Sequence, residues 1–229
     1  MKRLTFLFLP FALACALSLP GCDLVNAIMD NGAPMGVSAS DGDYANSISV
    51  SWSAPSLSSD KWKGYSVSHY EVSWNSESDS GYADNVYWTS FTISPAIQAQ
   101  CYTVTVTAVL SGGWLSGGSS SDTGFALDTQ ELTWPDGGAA HAVGGTSQWY
   151  VTMLQRGFAY RFDFDGAVGG TVQFYPYKSL DPLAAVTLPA GSPTWTCDED
   201  GAGHKFYVKV QPDSPGTGFA ATCDNGYGF

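Results

Sequence analysis

The fold is decided by the stretch Ser47-Ile48-Ser49-Val50-Ser51-Trp52-Ser53, in which every second residue is apolar. A period of two places alternate side chains on opposite faces of a β-strand, so Ile48, Val50 and Trp52 share one face. The run ends at Ala54-Pro55, and proline cannot donate to a ladder of strand hydrogen bonds. The stretch therefore predicts a strand that buries one face.

The same alternation recurs through the first half of the chain, and turn residues separate the runs. No segment carries an apolar stripe of helical length with the 3.6-residue period of a helix. Several short strands in about 95 residues are typical of two sheets packed face to face, each burying one side. The further runs are Tyr70-x-Val72-x-Trp74, Phe91-x-Ile93 and Tyr102-x-Val104-x-Val106-x-Ala108.

Residues 33–128 resemble a fibronectin type III domain. The resemblance implies a two-sheet sandwich with Trp52, Tyr70 and Tyr102 in its core. It also makes Tyr102 the residue whose hydroxyl forms a tyrosine corner. The resemblance is carried by Ala33-Pro34, residues 47–55, His69-Tyr70-Glu71-Val72 and residues 102–108.

Two positions beside this tyrosine carry separate expectations. Ser94-Pro95-Ala96-Ile97 stands where the family has a leucine at the E–F corner, and Ile97 is expected to take its place. Cys101 is one residue out of phase with Tyr102, so its side chain is expected on the outer face, partly exposed.

Residues 129–229 show alternation again, with Asp-Gly and Gly-Gly pairs between the runs that favour hairpin turns. They predict a second all-β unit of roughly eight strands, either a sandwich or a jelly roll. The unit resembles the bacterial pre-peptidase C-terminal domain, which implies a non-catalytic accessory role without an attached protease. This resemblance rests on Gln148-Trp149-Tyr150-Val151, residues 157–162 and residues 203–210. The fold class expected for the whole chain is all-β, with two β-sandwich domains in tandem.

The N-terminus has the layout of an export signal: Lys2-Arg3, an apolar run and then a cysteine. Leu19-Pro20-Gly21-Cys22 resembles the bacterial lipobox, which implies cleavage after residue 21, lipidation of Cys22 and a tether over 22–32. Pro20 is unusual for the family. Cys15 is a poorer alternative site, and an ordinary secretory signal remains the other alternative. An acylated Cys22 would anchor the protein in a membrane.

Charge excludes one class of partner. With Lys2 and Arg3 in the leader, the mature chain keeps seven basic residues against 21 acidic ones, a net charge of −14. Such a chain repels phosphate backbones, so nucleic acid is excluded as a partner. The hydrophobic fraction of 44% excludes a disordered chain.

The remaining cysteines predict one disulfide, since an exported compartment permits their oxidation. Cys197 and Cys223 both fall in the second unit and each precedes an acidic residue, so they are paired and Cys101 stays a single thiol.

Two loops of the first unit carry aromatic residues that are candidates for ligand binding. Trp62 and Tyr65 lie in the predicted B–C loop and Trp114 in the F–G loop, which emerge at the same pole of this fold. Exposed and coplanar rings there would form a platform for a sugar or an apolar partner. The alternative is that Trp114 packs on the sheet edge or against the second unit.

No catalytic or metal-binding motif is present in the sequence. His69, His141 and His204 lack metal-type spacing, and no catalytic or phosphate-binding signature occurs. Residues 163–166 and 198–201 each carry half a calcium loop, which turns explain better. We therefore expect no enzyme activity, no cofactor and no metal.

The sequence thus predicts a non-catalytic bacterial lipoprotein of the cell envelope that presents two β-sandwiches to a protein or ligand. It faces the periplasm or the exterior, and the choice between inner and outer membrane stays open. One alternative is a carbohydrate-binding module using the loop platform. Another is a structural spacer, and a third is an enzyme of unrecognised type.

Overall fold

The computed structural model describes residues 31–112, 117–132, 134, 139–143, 145–155, 157–166, 168–188, 194–196 and 204–224. Over these residues the chain forms sixteen β-strands and one short 3₁₀ helix, η1, at Asp60–Trp62. The predicted all-β class is confirmed. Within this part of the chain, no helix has the length and apolar character needed to cross a membrane.

The first unit is built from seven strands in two sheets. One sheet has the order β1-β2-β5, and the other has the order β4-β3-β6-β7. The strands are β1 Met35–Ala39, β2 Ile48–Ser53, β3 Ser66–Asn75, β4 Ser80–Val86, β5 Ser90–Ile93, β6 Cys101–Ser111 and β7 Ser119–Phe125.

The core of the first unit lies between these sheets and follows the period-two pattern. Ile48 and Val50 of β2 are buried, and they face Val104 and Val106 of β6 across the core. The Trp52 ring meets the Tyr70 ring edge to face at a centroid distance of 5.2 Å, a favourable geometry for aromatic pairs. Burial of one face per strand accounts for the sandwich.

A tyrosine corner closes the connection into β6. The Tyr102 hydroxyl accepts a hydrogen bond from the Ile97 backbone N–H at 2.9 Å and donates one to Asp79 Oδ2 at 2.9 Å. The expectation that Ile97 fills the corner's apolar position is wrong: its side chain is exposed, while Ala96 is buried. Ile97 contributes its backbone N–H to the corner instead.

The second unit contains nine strands, again in two sheets. The orders are β13-β12-β15-β10-β8 and β14-β11-β16-β9. The strands are β8 Thr129–Glu131, β9 Ala139–Ala142, β10 Gln148–Leu154, β11 Ala159–Phe164, β12 Gly170–Pro176, β13 Ala184–Leu188, β14 Thr194–Thr196, β15 His204–Pro212 and β16 Gly218–Asp224.

Strand pairing in the second unit is nested, which is the pattern of a jelly roll. Strand β9 pairs with β16, β10 with β15, β11 with β14, and β12 with β13, all antiparallel. This is a long hairpin rolled over itself, so most consecutive strands lie in opposite sheets. The predicted hairpin at Asp165-Gly166 is therefore wrong: this turn links β11 to β12 across the two sheets.

Aromatic rings fill the second core, and a second tyrosine corner borders it. Phe162 packs against both Phe174 and Phe219 at centroid distances of 6.0 and 5.9 Å. The Tyr160 hydroxyl accepts a hydrogen bond from the Gln155 backbone N–H at 2.6 Å, five residues upstream, as Tyr102 does from Ile97. Both units thus fix one chain reversal with the same device.

We predict that Tyr102→Phe destabilises the first unit by about 1–2 kcal/mol, because the Ile97 N–H loses its partner in a partly buried site. Urea unfolding of the native chain and of each variant measures the change in the free energy of unfolding. Tyr160→Phe should produce a similar loss in the second unit. Tyr44→Phe, at an exposed position, is the control. Equal stabilities for Tyr102→Phe and Tyr44→Phe would show that the corner hydroxyl contributes nothing.

Candidate functional site

The two units meet across the outer face of the five-stranded sheet. Neighbouring residues on a strand point to opposite faces, yet both members of the pairs Trp149-Tyr150, Phe174-Tyr175 and Phe206-Tyr207 are buried. One member of each pair fills the second unit's own core, and the other joins a separate cluster with Phe125 and Leu127. This sheet is therefore apolar on both faces.

Polar contacts complete the contact between the units. The Tyr207 hydroxyl donates a hydrogen bond to the Asp41 backbone carbonyl at 3.0 Å, and Lys178 Nζ lies 3.6 Å from Asp43 Oδ2. Burial raises the pKa of Tyr207 far above its ordinary value of 10, with smaller contributions from Tyr177, Asp43 and Asp41. The hydroxyl therefore stays protonated and able to donate.

The linker is part of this contact. Leu127 is buried in the interface cluster, and Thr129–Glu131 adds to the second unit's sheet as β8, parallel to β10. The burial of Leu127 and the pairing of β8 with β10 both oppose bending of the linker.

The predicted loop platform does not form as expected. Trp62 ends η1 and is only 2% exposed, and its ring lies directly beside Gly32. Tyr65 is half-buried and meets Trp62 at an interplanar angle of 87°, so the rings are perpendicular rather than coplanar. The prediction that Trp62 is an exposed stacking residue is wrong. Trp114 lies outside the described residues.

Exposed aromatic side chains occur instead on β4 and in the turn that follows it. Tyr82, Tyr87 and Trp88 expose 57%, 68% and 78% of their surface. We call these three residues the β4 aromatic surface. Strand β4 is an edge of its sheet, so the surface adjoins unpaired backbone groups as well as solvent.

Polar groups border this surface. His69 Nε2 lies 3.4 Å from Asp84 Oδ1, and the His69 ring contacts the Tyr87 ring at a centroid distance of 6.2 Å. Partial desolvation, together with the nearby Glu71 and Asp84 carboxylates, raises the pKa of Tyr82. Rings with adjacent carboxylates and an imidazole suit a ligand that offers both apolar faces and hydroxyls.

Sequence reasoning missed the β4 aromatic surface. The loop argument selected aromatic residues by their position at one pole, and Tyr87-Trp88 follows a strand that lacks a clean apolar alternation. The signal in the sequence was the pair Tyr87-Trp88 within a polar segment. Such a segment has no apolar alternation that would predict burial of the two rings.

A groove of about 590 Å³ lies on the second unit, beside β10. Its buried hydroxyl already serves the fold: Thr152 donates to the Leu132 carbonyl at 2.7 Å and accepts from Trp134 Nε1 at 2.6 Å. Glu131 and Lys205 bring opposite charges to the same groove. Because the Thr152 hydroxyl and the Trp134 indole N–H are already engaged within the fold, the groove is a weaker candidate than the β4 aromatic surface.

Two of the five cysteines, Cys101 and Cys223, lie within the described residues. Cys101 is exposed, as predicted, and partial burial with the nearby charges of Asp41 and Asp181 raises its pKa. A raised pKa lowers the thiolate fraction at neutral pH, so Cys101 is a poor nucleophile. Cys15, Cys22 and Cys197 lie outside the described residues.

The Cys197–Cys223 pairing stays a prediction. Cys223 lies on β16, half-buried against the second core. Thr196 and Asp224 both pair with Ala159, one on each side of β11. Strands β14 and β16 thus end at the same end of this sheet.

The histidines and the half calcium loop have structural surroundings. The His141 ring stacks on Phe219 at 5.2 Å, and burial lowers the pKa of His141 below its ordinary value. Asp163 accepts a hydrogen bond from Arg161 Nε at 3.0 Å within β11, so its carboxylate is already paired. Residues 198–201 lie outside the described residues.

Comparison with known proteins assigns the first unit. Residues 32–125 match the family model described as Fibronectin type III domain. The first unit is therefore similar to this family over residues 32–125, and we call it the fibronectin type III domain. No curated protein matches the chain. Among solved structures, a two fibronectin type III domain segment from chicken tenascin is similar at 16% identity and a TM-score of 0.32, covering 81% of this chain and 97% of that chain.

Within the fibronectin type III domain, Gly42 provides a direct test of the contact between the units. Its φ is +73°, and an added Cβ would lie 2.5 Å from the Tyr207 hydroxyl oxygen and 2.8 Å from Phe125 Cε2. Gly36 has a similar φ of +58° with nothing within 4 Å of an added Cβ. A side chain at either glycine would therefore strain the backbone to a similar extent, but only a side chain at Gly42 would clash with neighbouring atoms.

We predict that Gly42→Ala destabilises the protein by about 1–3 kcal/mol more than Gly36→Ala, because only the first overpacks the contact between the units. Urea unfolding measures the difference. Small-angle X-ray scattering should show a larger radius of gyration for Gly42→Ala alone. Indistinguishable stabilities and radii for the two variants would mean that Gly42 and Tyr207 are not in contact.

Proposed function

We propose that this protein is a non-catalytic lipoprotein of the bacterial cell envelope that binds a ligand through the β4 aromatic surface. The observation that carries the binding proposal is the exposure of Tyr87 and Trp88 at 68% and 78% on the fibronectin type III domain. Large rings are costly to leave exposed to water, and an exposed apolar surface marks a candidate binding site. Fibronectin type III domains are common binding or scaffold modules.

The anchor is the second part of the proposal. Leu19-Pro20-Gly21-Cys22 follows a basic and then an apolar segment, and residues 22–32 would serve as a tether to the first unit. Acyl chains on Cys22 would hold the protein at a membrane. The contact between the units would then make the body beyond the tether move as one piece.

A non-catalytic role fits the titratable groups. Cys101 has a raised pKa and His141 a lowered one through burial, which makes the first a weak nucleophile and the second a stacked core residue. The fibronectin type III fold is typically non-catalytic. We extend the same role to the second unit, in line with its resemblance to the pre-peptidase C-terminal domain.

A glycan is the ligand that we favour. Sugar rings present apolar faces that stack on tyrosine and tryptophan, while their hydroxyls need acceptors such as the Glu71 and Asp84 carboxylates nearby. The carbohydrate-binding role that the sequence suggested for the loop platform is therefore proposed here for the β4 aromatic surface. A purely structural spacer would leave these rings without a ligand.

The anchor is tested by metabolic labelling with a palmitate analogue. We expect label on the native chain and on Cys15→Ser, and none on Cys22→Ser, because only the Cys22 thiol is alkylated. Fractionation should move Cys22→Ser from the membrane to the soluble fraction. Label that persists in Cys22→Ser would assign the anchor to Cys15, and label in no variant would leave a freely secreted protein.

The binding surface is tested by retention on insoluble peptidoglycan, chitin and cellulose. We expect the native chain to be retained on one of them and Trp88→Ala to lose about tenfold or more in affinity, since stacking contributes roughly 1–2 kcal/mol. Tyr44→Ala, another exposed aromatic of the same domain, is the matched control. Equal retention of Trp88→Ala and Tyr44→Ala would contradict the proposal, and so would retention of the native chain by none of the glycans.

A further inference from the structure

Three groups that are common metal ligands converge on the outer face of the fibronectin type III domain. His69 and Glu71 lie two residues apart on β3, so their side chains leave the same face of the sheet. Asp84 comes from β4. One donor atom from each of the three side chains lies within 4.8 Å of the other two.

A β-bulge brings Asp84 into this group. Tyr70 pairs with Val86 and Val72 pairs with Ala83, so Asp84 and Asn85 together face Glu71 alone. Asn85 takes a φ of 57°, and its backbone N–H donates to Asp84 Oδ1 at 2.7 Å. Bulges redirect side chains in this way, and they are frequent beside functional sites.

The distance between His69 and Asp84 fits two ligands of one ion better than a direct hydrogen bond. Their Nε2 and Oδ1 atoms are 3.4 Å apart, beyond the usual 2.7–3.2 Å for N–H···O bonds. Two atoms about 2.1 Å from one tetrahedral zinc ion lie roughly 3.4 Å from each other.

The surroundings of the histidine favour the same geometry. Nδ1 of His69 lies 3.2 Å from Ser68 Oγ, so with Nε2 bound to a metal the protonated Nδ1 would donate to this hydroxyl. Ligating histidines generally have such a second partner, which fixes the tautomer and the ring. The Tyr87 ring contacts His69 on the side of the β4 aromatic surface.

Charge also suits a divalent cation. Two carboxylates and a neutral imidazole carry a net charge of −2. Over the described residues, Glu71 and Asp84 form no ion pair with a lysine or arginine. An imidazole with carboxylates selects zinc and similar transition ions over magnesium or calcium, which prefer oxygen ligands alone.

We propose that His69, Glu71 and Asp84 form a site for Zn²⁺ or a similar divalent transition ion. Three protein ligands leave a fourth position for water or for a donor atom of a bound molecule. The ion would tie β3 to the bulge in β4 and would fix the edge that carries the β4 aromatic surface. This inference does not depend on which ligand that surface binds.

The test is isothermal titration of the native chain with Zn²⁺ alone. We expect saturable binding of one ion, loss of that binding in His69→Ala, and a decrease of about tenfold or more in Asp84→Asn. Glu77→Gln removes an exposed carboxylate from the same hairpin and is the matched control, with binding unchanged. No saturable binding, or equal binding by His69→Ala and Glu77→Gln, would overturn the proposal.

A second measurement needs no variant. Addition of Zn²⁺ should shift the ring resonances of His69 in an NMR spectrum and leave those of His141 and His204 in place. With Co²⁺, we expect the strong visible absorption of a four-coordinate site. Shifts at His141 or His204 without any at His69 would place the ion elsewhere and refute the assignment.

Discussion

The structure depends on one constraint: the five-stranded sheet of the second unit is apolar on both faces, so both must be covered. Its inner face is covered by the four-stranded sheet of the same jelly roll. Its outer face carries Trp149, Tyr175 and Tyr207, and the fibronectin type III domain covers it with Phe125 and Leu127. Burial of these rings stabilises both units at once, since aromatic side chains carry the largest apolar areas.

Specificity in this contact comes from a few polar and conformational details. Tyr207 donates to the Asp41 carbonyl, and Gly42 leaves the space that the hydroxyl occupies. A residue larger than glycine would meet both Tyr207 and Phe125 at this point. The apolar cluster provides most of the attraction, while the hydroxyl and the glycine determine how the surfaces align.

The contact between the units also determines which surfaces remain for function. It uses the loop after β1, the end of β7 and the linker, and it leaves β4 with its following turn exposed. The bulge in β4 then has two effects: it interrupts edge pairing, which limits aggregation, and it directs Asp84 toward His69. An exposed edge with aromatic rings and a mixed imidazole–carboxylate cluster is the part of the described surface best equipped to bind.

The sequence by itself determined the β-class and the core of the first unit. Alternation at Ile48, Val50 and Trp52 marks a buried face directly, because a strand has a fixed period of two. The fibronectin type III pattern likewise identified Tyr102 as the corner tyrosine. These features are local, so residues that are close together in the sequence suffice to reveal them. The lipobox is a local pattern too, and lipidation of Cys22 stays a prediction.

Only the tertiary structure decided the functional surfaces. The sequence could not show that Trp62 is buried, because its ring lies beside Gly32, which is 30 residues away along the chain. Nor could it unite His69 with Asp84, since a bulge shifts the register by one residue and changes which side chains meet. The second face of the five-stranded sheet was hidden for a similar reason. Adjacent aromatic residues within the apolar strands β10, β12 and β15 indicate burial on both faces, but the partner that covers the outer face is another unit.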